Sequence, residues 1–147
     1  MNGQNALSKF NDNPQLVPAT VITTNTPVVG LSHDLSNCAA AVVAVVLTVS
    51  AYSGAGSVKL SLSGSEDDST FTAIANDDLV IKDLTTGLEI ESLDKAGAVA
   101  LSGVGSTKLG FIFKYNTKFV KASIVPTGIT GSVTASAIIQ YEKAFQK

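Results

Sequence analysis

The chain has 147 residues, a net charge of −2 and one cysteine. That length suits one domain burying about 68–70% of its unfolded surface, and a lone thiol excludes an internal disulfide framework. Ten lysines without a single arginine argue against nucleic-acid binding, because arginine supplies the bidentate contacts to phosphate and bases.

Residues 1–14 are polar and Asn-rich, with Leu7 and Phe10 as isolated apolar points before Pro14. They lack the basic region and apolar run of a signal peptide. A segment of this composition buries too little surface to order itself, so it is expected to be an extended N-terminal arm held by a partner. Leu7, Lys9, Phe10, Asn11 and Pro14 are its candidate contact residues. The remainder, 15–147, is expected to be one domain.

Strand patterns follow at short intervals. Leu16 to Thr24 contains Pro18, which points to an edge or a strand start. Val28 to Leu31 is a short strand, and Ser32 to Asn37 is expected to be a turn. Cys38 leads through three alanines into a Val-rich run ending near Tyr52; the thiol reads as a small buried hydrophobe. The apolar run Cys38–Leu47 is half the length needed to span a bilayer as a helix, and its valines predict a central strand buried on both faces.

Val58, Leu60 and Leu62 alternate with Lys59, Ser61 and Ser63, the period-two pattern of a half-buried strand. Gly64 to Ser69 forms an acidic tip, and Phe71 to Ala75 resumes extended character, completing a hairpin. Leu79–Ile81, Leu88–Leu93 and Val99–Leu101 are further expected strands. Leu109, Phe111, Phe113 and Tyr115 alternate along another, and Phe119–Val125 and Val133–Tyr141 form the last pair. Leu79–Leu84 and Glu142–Gln146 have no decisive period. Eight or more strands with Gly/Pro turns predict an all-β antiparallel sandwich, most plausibly a jelly roll.

Chemistry-bearing clusters are sparse. Glu66-Asp67-Asp68 and Asp77-Asp78 offer oxygen ligands suited to calcium, but their spacing matches no EF-hand loop, and acidic residues commonly solvate turns. His33, beside Asp34, Ser32 and Ser36, is the one histidine; no nucleophile elbow or metal triad accompanies it. Gly54-Ala55-Gly56 and Gly103-Val104-Gly105 lack the helix and following lysine of a phosphate loop. Tyr52, Tyr115 and Tyr141 read as strand residues at a core edge. The residues therefore predict no catalytic site, no cofactor and no metal.

Two segments resemble small structural proteins of tailed bacteriophages: Val58–Leu79 (VKLSLSGSEDDSTFTAIANDDL) and Lys118–Ser132 (KFVKASIVPTGITGS). Together they cover about a quarter of the chain. Proteins of this look are capsid decoration, or cement, proteins. The resemblance implies a jelly roll made in the host cytoplasm and bound to the outer capsid surface of the virion. It also implies partnership with the major capsid protein and with further copies of itself, as a dimer or trimer. A vertex, head-fibre or glycan-binding attachment module is the alternative. No membrane partner is expected.

Overall fold

The computed structural model describes residues 15–36, 42–82, 86, 88–114 and 117–141. The predicted arm and its five contact residues, together with Cys38, Tyr115 and Glu142–Gln146, lie outside that set.

Among the described residues, ten strands form two antiparallel sheets: β1 (Gln15–Ile22), β2 (Val28–Val29), β3 (His33–Asp34), β4 (Val42–Ser53), β5 (Ser57–Ser65), β6 (Thr72–Ala73), β7 (Leu79–Val80), β8 (Gly105–Ile112), β9 (Phe119–Thr127) and β10 (Ser132–Tyr141). Sheet one runs β1-β10-β4-β8-β7; sheet two runs β2-β9-β5-β6, with β3 also on β9. The pairings nest. First joins last (β1 with β10), β2 and β3 join β9, β4 joins β8, and β5 joins β6. A long antiparallel ribbon rolled on itself gives this order, so the predicted sandwich is a jelly roll.

Alternation decides which side chains fill the space between the sheets. Val43, Val45, Leu47 and Val49 of β4 point inward, as do Val133, Ala135, Ala137 and Ile139 of β10. The register sets small against large, Ala137 beside Leu47 and Ala135 beside Val49, an arrangement that lets neighbouring rows interdigitate. Sheet two contributes Val58, Leu60, Leu62, Val120, Ala122 and Ile124, while Phe111 is the largest fully buried side chain. Each such aliphatic burial contributes roughly 1.5–3 kcal/mol.

Prolines sit where the ladders tolerate them. Pro18 lies at a register shift in edge strand β1, as predicted. Pro126 is inside β9, which runs two residues beyond its predicted end. Its partner Val58 exchanges both backbone bonds with Leu101 instead, at 2.9 Å each. The Val58–Pro126 pair is thus a non-hydrogen-bonded one, and the missing N–H breaks no bond to β5.

Four expectations are corrected. The outer residues of β4, Val42, Ala44, Val46 and Thr48, are only half-buried, so the Val-rich strand has one core face rather than two; Val favours any pleated surface. The expected turn at Ser32–Asn37 contains β3, because His33 and Asp34 continue the edge along Val120 and Phe119. Leu88–Leu93 and Val99–Leu101 form single bridges (Lys82–Glu89 and Val58–Leu101) rather than strands. Between them Lys95–Ala98 makes a helical turn, begun by the Asp94 carboxylate accepting from Gly97 N. The aromatic strand β8 stops at Ile112, leaving Phe113 packed against the core from outside the ladder.

Backbone crosses between the sheets at Gly30. Its N–H donates to Ala122 O of β9 at 2.9 Å, and the next N–H, of Leu31, donates to Leu16 O of β1 at 3.1 Å. A Cβ on Gly30 would stand 2.1 Å from Leu16 O and 2.9 Å from Ala122 O. Gly30→Ala is therefore expected to cost about 3 kcal/mol, read as a lowered urea midpoint. Gly103→Ala, where no atom lies within 4 Å of the added carbon, should change stability by less than about 0.5 kcal/mol.

Candidate interaction surfaces

The β5–β6 hairpin tip carries the acidic cluster. Asp67 Oδ1 accepts from Ser65 Oγ at 2.9 Å and from the N–H groups of Ser69 and Thr70 at 3.0 Å each. These donors stabilise the carboxylate, led by Thr70 and Ser69, and hold its pKa below the ordinary value. Asp68 adopts φ 61°, a left-handed turn conformation that Asp tolerates. Asp78, the last residue of the 3₁₀ turn Asn76–Asp78, pairs with Lys114 at 3.0 Å; both side chains are partly exposed, so the pair contributes little stability.

Asp67, Asp78 and Lys114 line a cleft of about 510 Å³ at one end of the sandwich, together with Thr70, Thr72, Thr117, Ile74 and Phe111. The same end holds the start of β1 and the finish of β10, since Gln15 lies opposite Ile138. Among the described residues no three of His, Cys, Asp and Glu gather closely enough to hold a metal ion. Asp67 is committed to its own turn and Asp78 to Lys114.

His33 and Asp34 are successive strand residues and so point to opposite sides of sheet two. His33 shares the inward row of Val120; partial burial lowers its pKa, with the Asp34 charge opposing the shift. The Asp34 carboxylate accepts from Ser36 N at 2.8 Å, and this contact leads the lowering of its own pKa. It caps the local turn.

Lys95 was not foreseen. It is 4% exposed, donates from Nζ to Leu79 O of edge strand β7 at 2.9 Å, and lies 3.8 Å from a Glu89 carboxylate oxygen. The ammonium occupies backbone polarity at the rim of sheet one, a common way to blunt a strand edge. Asn76 braces the segment, accepting from Lys95 N at 2.9 Å and donating to Ser92 O at 2.8 Å.

The outer faces of the two sheets differ in chemistry. Sheet two presents Lys59, Ser61 and Ser63 from β5 and Lys121 and Ser123 from β9, with Lys121 Nζ 4.3 Å from the centre of the Phe71 ring. Sheet one presents Val42, Ala44, Val46 and Thr48 from β4 beside Thr134, Ser136 and Ile138 from β10. Val21 and Ile112 extend this apolar surface onto β1 and β8. No sequence signal separated it from the core, because its valines continue the same apolar run.

Among the described residues no helix is long and apolar enough to cross a membrane. No protein-family model and no curated protein matches the chain. Among solved structures, the crystal structure of the SPBc2 prophage-derived protein YomS is matched at 12% identity over 88% of this chain and 92% of that one, with a TM-score of 0.42. A likeness of that degree supports no statement about function.

The Asp67 contacts give a pH signature. Its carboxyl has a depressed pKa in the folded state, so its stabilisation is present above the unfolded value of about 3.9 and is lost as pH falls through the lower folded value. Asp67→Asn should flatten the decline of the thermal midpoint in that acid window. An unchanged decline would remove Asp67 as a contributor.

Proposed function

We propose that this protein is a structural component of a bacteriophage virion, a decoration protein that binds the outside of the head and bridges neighbouring major capsid subunits. One observation carries the reading. The two segments that resemble phage structural proteins are joined, with β5 pairing β9 residue by residue from Ser57–Thr127 to Ser65–Phe119. Their strands β5 and β9 lie side by side at the centre of sheet two.

The rest of the molecule suits that role. A sandwich with an aliphatic core supplies rigidity, and binding to assembled shell but not to free subunits stabilises the shell by mass action. Many copies acting together need only modest contacts, on the order of 1,000 Å² each. In this reading residues 1–14, with Leu7, Lys9, Phe10, Asn11 and Pro14, reach the major capsid protein. Ordering them on the lattice would tie recognition to the mature head.

A second reading is favoured by the cleft. Its hydroxyl, carboxylate and ammonium groups around Asp78 and Lys114 suit a glycan hydroxyl array, as a vertex or attachment module would require. Saturable binding on a glycan array, lost in Asp78→Ala, would support this reading over the first.

The deciding measurement is copy number in purified particles, by quantitative mass spectrometry against the major capsid protein. Hundreds of copies are expected for a lattice-wide decoration protein. A few tens would favour the vertex or attachment reading, and absence from particles would overturn both. Deleting residues 1–14 should lower head occupancy while leaving the circular dichroism of the domain unchanged; undiminished occupancy would refute the arm's role.

A further inference from the structure

We propose that the outer face of sheet one is a self-association surface, packing against the same face of a second copy about a two-fold axis. The inference rests on the chemistry of that face and stands apart from the virion reading.

Along the two central strands, the outward positions are Val42, Ala44, Val46, Thr48 and Ser50 on β4, and Ser132, Thr134, Ser136, Ile138 and Gln140 on β10. None carries a charge. A two-fold interface sets one patch against its own copy, so fixed charges near its centre repel themselves, while an uncharged patch is self-compatible. Lys108, exposed on the flanking strand β8 directly opposite Val46, is a cation within the face, and its aliphatic stem can lie flat while the ammonium reaches water past β8. The outer face of sheet two, with Lys59 and Lys121, lacks this property.

The polar groups of the face are already partly satisfied within the chain. Thr48 Oγ1 and Ser106 Oγ share a hydrogen bond at 3.1 Å, and Ser53 Oγ and Ser132 Oγ another at 3.2 Å. Ser53 Oγ also accepts from Ser132 N at 3.2 Å. Hydroxyls paired across strands lose less on leaving water than unpaired ones do. These four hydroxyl groups can therefore be buried without demanding new polar partners.

The size is sufficient. Strands β1, β10, β4 and β8 together span about 20 Å, and eight residues of strand extend about 27 Å. A plane of roughly 500 Å² on each copy reaches the ~1,000 Å² total at which specific interfaces begin, before side-chain relief adds to it. Valine, alanine, serine and threonine make a low surface, so two copies can approach as packed sheets do, about 10 Å apart.

The test is the mass of the full chain by size-exclusion chromatography with light scattering across a micromolar dilution series. The expected result is twice the protomer mass, falling to one protomer in Val46→Lys and in Ile138→Lys, while Ser61→Lys on the opposite face leaves the dimer intact. Circular dichroism checks that the variants fold. A second reading uses Ser136→Cys in a Cys38→Ser background, where mild oxidation should yield a covalent dimer and Ser61→Cys should not.

A wild-type monomer throughout the series would overturn the proposal, as would a trimer or a dimer indifferent to both lysine substitutions. If the wild type is monomeric and a variant lacking residues 1–14 dimerises, the chain's own N-terminal segment occupies the face and the proposal also fails. Copy number in particles does not enter any of these outcomes, so the two readings fail separately.

Discussion

The whole molecule depends on holding two sheets one side-chain layer apart while backbone passes between them. The layer is aliphatic, and its thickness is regulated by alternating size, with Ala135 and Ala137 beside Val49 and Leu47. At several crossings a glycine leaves no room for a side chain. Gly30 is pinched between Leu16 and Ala122, and where β4 passes to β5 and β9 to β10 the turns 54–56 and 128–131 lie against each other. There a Cβ on Gly54 would meet Gly131 N at 2.6 Å, and one on Gly56 would meet Gly128 O at 2.7 Å. Ala55 and Thr130 fasten these turns through reciprocal hydrogen bonds of 3.0 and 3.2 Å.

Much of this was legible in the chain wherever a strand had one wet face. The alternation of β5 and the Leu109 and Phe111 row of β8 read directly, because water and core impose a period of two. In β4 the rule failed. Val42 and Val46 are apolar residues on an outer face, and single-sequence periodicity has no means to distinguish that from a second core layer. Short elements failed for a different reason. β3 exists because β9 offers an edge to His33 and Asp34, and the Lys95 turn because Leu79 O and Asn76 receive it. Both depend on neighbours remote in sequence. Only Asp94, an N-cap residue before Lys-Ala-Gly, carried a local signal.

The surface chemistry was legible to a similar degree. The acidic tip read as a solvated turn, and Asp67 does organise that turn through its carboxylate. Its proximity to Asp78 and Lys114 across a shared cleft required the rolled topology. The contrast between a sheet whose two central strands carry outward lysines and one whose two central strands carry none likewise appears only once strand order is known, since the residues of each face come from three or four separate strands.

The nested pairing also imposes an order in time. β4 is flanked in sheet one by β8 and β10, both of which leave the ribosome long after it does. Until residue 112 is made, the Val-rich strand of a nascent chain has neither of its permanent neighbours along its edges, and until residue 141 it has only one. Contacts so distant in sequence close slowly, and an apolar strand with open edges is prone to pair with copies of itself. For a protein of this architecture, high-level synthesis is limited less by the stability of the finished sandwich than by how long β4 waits for its last partner.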